Sequence, residues 1–150
     1  VKLYDNIFPE AFHQTITVDG KYVVEITNGD YYRFIYPPYK FAIDVENFLL
    51  GAGIEHQCDK MFVSKRPADI KTVYSQFEDK NYSTFIYFIN DNYKGGELLY
   101  KDQVVNPVSN KGVYFDNDDK FKLTDVVEGV QYILITYFRK NPIKQSKTLL

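Results

Sequence analysis

The chain has 150 residues, 18 of them Lys or Arg and 20 Asp or Glu, and 45% are apolar. That length suits one domain with a sizeable core, and the composition excludes a disordered chain. The near-balanced charge leaves no electrostatic footprint for nucleic acid, the single Cys58 rules out an intrachain disulfide, and no apolar run reaches the length of a membrane span.

No signal-peptide pattern opens the sequence, so the expected location is cytoplasmic or otherwise intracellular, a place inside a viral particle included. Tyr and Phe favour half-buried pleated surfaces, and 14 Tyr with 12 Phe lean the chain towards β structure.

Pro9 suits the first turn of a short helix over 10–15, where Glu10 complements the helix dipole and His13 reads as an ordinary helical residue. Residues 21–27 (KYVVEIT) and 31–36 (YYRFIY) read as a β-hairpin around Asn28-Gly29-Asp30, stopped by Pro37-Pro38. Residues 41–50 read as a helix with Phe41, Val45, Phe48 and Leu49 on one face and Gly51 and Gly53 as its stop. Residues 54–65 read as a loop. His56, Cys58 and Asp59 cluster there, but zinc normally takes four ligands and no second cluster follows, so Cys58 reads as a small buried thiol.

Strands follow over 70–77, 84–90, 97–100, 112–115, 123–127 and 130–138, with turns at 91–96, 104–108 and 116–120 and a Glu128-Gly129 junction between the last two strands. Residues 141–150 read as a polar tail or arm, which leaves 1–140 as a single domain. Arg139, Lys140, Lys144 and Lys147 make that end locally basic. Many short, closely spaced strands suggest a barrel or sandwich, with the helical segments near the N-terminus packed on one sheet.

Several pieces then line up. Tyr74 precedes a strand holding Thr84, Tyr87, Ile89 and Asn90; Gly95-Gly96-Glu97-Leu98 follows; then come Pro107, Gly112 and Phe115, and a closing hairpin with Val126, Glu128, Gly129 and Tyr132. This frame resembles the prolyl 4-hydroxylase-like iron(II)/2-oxoglutarate-dependent oxygenases. The resemblance covers most of the chain and is strongest over 74–138. It implies a mainly β fold with a few helices, a double-stranded β-helix of the jelly-roll or cupin-like kind.

The resemblance also places the family's chemistry, and this sequence departs from it there. The His-x-Asp pair falls on Gln76 and Glu78, the second His on Phe121, the basic residue for the 2-oxoglutarate carboxylate on Gln131, and a small hydroxyl residue on Ile133. Iron(II) of this type needs two imidazoles and a carboxylate, and the only histidines are His13 and His56. The expected protein is therefore a degenerate member without iron or 2-oxoglutarate, a protein-binding or structural module with a protein partner or a second copy. Tyr31, Tyr32, Tyr36, Tyr39, Tyr93 and the basic tail are its candidate contacts.

Two alternatives stay open. One is a dioxygenase of a protein or small molecule with an altered ligand set, Glu78 and His56. The other is a small-ligand barrel lined by Gln76, Glu78, Tyr87 and Gln131, with Tyr74 as further pocket lining. Asp116, Asp118 and Asp119 with Glu78 make an oxygen-rich set suited to magnesium, manganese or calcium; the plainer reading is a solvated turn.

Overall fold

The computed structural model describes residues 1–9, 34–35, 39–54, 57–68 and 79–140. Its elements in chain order are β1 (Lys2–Tyr4), β2 (Phe34–Ile35), α1 (Tyr39–Gly51), β3 (Gln57–Pro67), β4 (Tyr82–Phe88), β5 (Lys94–Gly95) and β6 (Leu98–Tyr100). β7 (Gln103–Val105), β8 (Lys111–Asp116), β9 (Phe121–Leu123), β10 (Val126–Glu128) and β11 (Val130–Arg139) complete it.

Six strands form one antiparallel sheet in the order β1-β8-β4-β11-β3-β2. Opposite it stands a three-stranded sheet, β7-β6-β9, and β10 and β5 form a separate antiparallel pair. Neighbours in the large sheet are distant in sequence, so its order is set by which residues face inward rather than by hairpins.

Side chains alternate across a strand, and the large sheet buries both faces. One face carries Met61, Val63, Phe85, Tyr87, Tyr114, Leu134 and Phe138, packed with Ile7, Phe8, Val45 and Leu49. The other carries Ile86, Phe88, Val113, Phe115, Ile133 and Ile135, packed with Leu98, Tyr100, Val105, Phe121 and Leu123 of the smaller sheet. We call these the helix side and the interior. A strand buried on both faces reads as an unbroken apolar run, which is why β4 shows none of the usual alternation.

The helix begins two residues earlier than expected. Val45 and Leu49 are buried and Phe48 is partly so, as its spacing implied. Phe8 closes that layer edge-on against Phe48 and Tyr87, at 5.3 and 4.8 Å between ring centres. Gly53 at φ +87° ends the helix, with Ile54 N–H donating back to the Leu49 carbonyl at 2.9 Å.

Several sequence expectations are corrected. Residues 54–65 are largely strand rather than loop: β3 is an 11-residue central member of the large sheet. The turn over 91–96 contains β5, and β7 occupies part of the expected 104–108 turn. Residues 123–127 are not one strand. Thr124 and Asp125 separate β9 from β10, because Thr124 turns back to Glu97 through paired backbone and side-chain hydrogen bonds. Of the expected N-terminal hairpin, Phe34–Ile35 pairs with β3 at the sheet edge. Its partner strand, the helix over 10–15, the strand over 70–77 and the tail over 141–150 lie outside the described residues.

Candidate functional site

The space between the two sheets is where a jelly roll can hold a ligand. Phe121 stands there, 3% exposed, on the small sheet. Its ring meets Phe115 of the large sheet edge-on at 5.2 Å, and Phe115 is in turn 4.6 Å from Tyr100. Ile133 is buried in the same cluster. At these two positions the interior is therefore a packed apolar core. Tyr87, expected as pocket lining, lies on the opposite face: it is buried on the helix side, and its hydroxyl donates to Asn110 Oδ1 at 3.0 Å. One residue of shift along a strand exchanges the faces, and β4 gives no alternation from which to read them.

Towards the Phe88 end of β4 the interior becomes polar. Gln131 on β11 is directly opposite Arg66 on β3, and both are buried, at 0% and 2% exposure. Arg66 Nη1 donates to Gln131 Oε1, and Arg66 Nη2 donates to the Thr124 carbonyl at 2.7 Å. Gln131 Nε2 donates to the Gly96 carbonyl at 2.8 Å and to the Tyr93 hydroxyl at 3.0 Å. The Thr124 hydroxyl donates to the Glu97 carboxylate, and Glu97 N–H donates to Thr124 Oγ1 at 2.9 Å. Burial lowers the Arg66 pKa to about 10, opposed by the Asp125 carboxylate, and the guanidinium stays charged at neutral pH. Burial likewise pushes the Tyr93 phenol up to about 12, against the opposing Gln131 hydrogen bond, so the hydroxyl stays neutral.

The Gly95-Gly96 pair has a local reason. Both residues have positive φ, where glycine carries no Cβ penalty. A Cβ on Gly95 would fall 2.2 Å from the Asp125 carbonyl oxygen, and one on Gly96 would fall 2.6 Å from Gln131 Nε2. The first glycine lets β5 reach β10; the second makes room for the Gln131 amide. Asn90 extends the β4–β11 ladder with its side chain, donating to the Val130 carbonyl at 2.9 Å and accepting from Tyr132 N–H at 2.8 Å. Thr84 Oγ1 is 2.6 Å from Asn117 Oδ1 at the other end of the interior. The shared frame residues are joints of the fold.

The carboxylates of Asp116 and Asp118 are held by other side chains. Lys140 pairs with Asp116 at 2.9 Å, and Asp118 takes the Tyr100 hydroxyl and Lys101. Among the described residues no three His, Cys, Asp or Glu side chains come together as a metal group. His13, His56, Tyr74, Gln76 and Glu78 lie outside the described residues, as do Tyr31, Tyr32, Tyr36, Lys144 and Lys147. Tyr93, expected as an exposed contact, is half-buried against Gln131. Arg139 is engaged by the Tyr82 hydroxyl at 2.8 Å and by Asp59 at 3.8 Å.

No protein-family model matches this chain, and no curated protein sequence matches it. Solved structures do. A prolyl-4-hydroxylase of Pseudomonas putida superposes with a TM-score of 0.66 at 12% identity, covering 94% of this chain and 92% of that one. The fold is that of the prolyl hydroxylases. The viral collagen prolyl hydroxylase of Paramecium bursaria Chlorella virus 1 gives 0.65 at 11% identity, over 93% and 90%. The Trichoplax adhaerens prolyl hydroxylase, solved with a peptide fragment of hypoxia inducible factor, gives 0.64 at 12%, over 93% and 83%. The expected double-stranded β-helix class stands, and no described helix is long and apolar enough to cross a membrane.

Arg66 is the residue that the sequence reading missed. Its signal is weak: it sits beside a proline just past the stretch expected as a loop, and only the β3 register brings it to Gln131.

Proposed function

We propose that this chain is a non-catalytic prolyl hydroxylase-like barrel that serves as a protein-binding or structural module. The observation that carries the reading is Phe121, buried in the apolar interior at the position the resemblance assigns to the second iron-binding histidine. A phenyl ring has no lone pair for a metal. The 2-oxoglutarate end does not fit its group either, since Gln131 is neutral and its amide is engaged by Arg66, Tyr93 and Gly96. We infer that iron and 2-oxoglutarate have no role here.

Fold and chemistry are separable, and a barrel can be kept for its surface. The partner class we propose is another protein chain, by analogy with the peptide held by the Trichoplax protein. Val104, 63% exposed on β7, and Val127 on β10 are apolar residues facing solvent where such a chain could rest. A small-ligand reading is weakened, because Tyr87 faces away from the interior and the Gln131 amide already has partners on both its donors and its oxygen.

The reaction itself is the test. Protein incubated aerobically with iron(II), ascorbate and 2-oxoglutarate is expected to release no succinate above a protein-free control. Release that scales with protein concentration would overturn the reading.

A further inference from the structure

Gln131 engages both of its N–H donors and its carbonyl oxygen. A carboxamide has two N–H donors and a carbonyl acceptor; here the donors go to Tyr93 and Gly96 and the acceptor takes the Arg66 guanidinium. Only this orientation works, because the reversed amide would set its NH2 against a cation and its oxygen against the Gly96 carbonyl. No other side chain of similar length does both tasks. Lys or Arg would bring a second cation against Arg66, and an ionised Glu would give up both donations.

The cluster also ties the sheets together. Arg66 comes from β3 and Gln131 from β11 of the large sheet; Tyr93 and Gly96 come from the turn around β5, and Thr124 from the link between β9 and β10. The space that Gly96 leaves by lacking a Cβ is filled by the Gln131 amide.

We propose that the Gln131 carboxamide is a built-in plug, a neutral group standing where a carboxylate ligand would otherwise meet the Arg66 guanidinium. The charge that could hold such a ligand is carried by β3, and the residue on β11 covers it. This inference rests on the non-catalytic reading above and supplies a device for it: the polar end of the barrel completes itself without a ligand.

The plug is removed by Gln131→Ala, and the probe is sodium formate or acetate, compared with chloride at equal ionic strength. The variant melts below the wild type, and formate or acetate restores part of the loss. In Gln131→Ala combined with Arg66→Gln, half-saturation by either anion rises about tenfold or more, as expected when a charge-assisted hydrogen bond is lost. The wild type shows no carboxylate-specific shift. Absence of rescue in a folded Gln131→Ala, or equal rescue with and without Arg66, would overturn the plug.

If Gln131→Ala does not fold, the wild type still decides. Both Gln131 side-chain amide protons should be resolved by NMR, exchange slowly with solvent, and stay unmoved by millimolar acetate. Fast exchange or an acetate-induced shift would overturn the proposal. Failure of the non-catalytic reading looks different: the wild type itself would then bind metal with 2-oxoglutarate.

Discussion

Replacing Phe121 by Ala tests whether the interior is a core or a pocket. The ring is 3% exposed and lies edge-on to Phe115 at 5.2 Å. Truncating a phenylalanine so placed typically costs about 3–5 kcal/mol, including the cavity left behind, of which the aromatic pair supplies about 0.5–1.5 kcal/mol. Against a total stability of about 5–15 kcal/mol, that is a large share. For a chain of this size it lowers the melting temperature by roughly 6–20 °C, at about 2–4 °C per kcal/mol. The assay is urea unfolding followed by far-ultraviolet circular dichroism, with the slope held common between variants. Phe121→His should cost a comparable amount, because an imidazole would be buried among Leu98, Tyr100 and Phe115. A loss below about 1 kcal/mol in both variants would refute the reasoning, since a side chain bordering an open pocket gives up few contacts.

Other outcomes follow from single groups. Asn110, at φ +66°, accepts from Phe8 N–H and the Tyr87 hydroxyl and donates to the Phe8 carbonyl; Asn110→Ala should cost about 3 kcal/mol or more and expose residues 1–9 to limited proteolysis, whereas unchanged cleavage would refute the clamp. Thr136 is fully buried, and its Oγ1 has no hydrogen-bond partner among the described residues, so Thr136→Val should raise stability by about 1 kcal/mol; a loss in urea unfolding would show that the hydroxyl is bonded. Burial, reinforced by the Glu46 carboxylate, pushes the Cys58 thiol up to about 12, leaving a thiolate fraction of about 1 in 10,000 at pH 8; labelling by a disulfide reagent should be slow until urea unfolds the chain. The Thr124 hydrogen bond holds the Glu97 carboxyl below its ordinary 4.5. Its stabilisation is present above that value and lost as pH falls through the lower folded one, so the difference between wild type and Glu97→Gln in urea midpoint should shrink from pH 6 to pH 3; a constant difference would refute it.

The sequence shows the fold where one physical signal dominates. The helix is legible from Val45, Phe48 and Leu49, and β4 and β11 from short, β-branched and aromatic apolar runs of the kind a doubly buried strand carries. β3 is not legible, because its interior face carries Ser64 and Arg66 and its end is Pro67; each weakens the pattern of a central strand. The packing of Phe121 and Ile133 is not legible either: the frame around Gly95-Gly96 marks them only as departures from the family's ligand positions, and nothing local distinguishes an interior Phe from any other. The Arg66–Gln131 contact joins residues 65 apart. It follows from the β3–β11 register, which no local spacing encodes.

The most direct test of the non-catalytic claim is calorimetric titration of metal-stripped protein with manganese(II) and 2-oxoglutarate together, with a thermal melt run alongside. The account expects no specific heat of binding and an unchanged melting temperature from a cooperatively folding protein. Stoichiometric binding at micromolar concentration, stabilising the fold by about 2.7 kcal/mol at a hundredfold excess over Kd, would contradict it and place a working ligand set in the barrel.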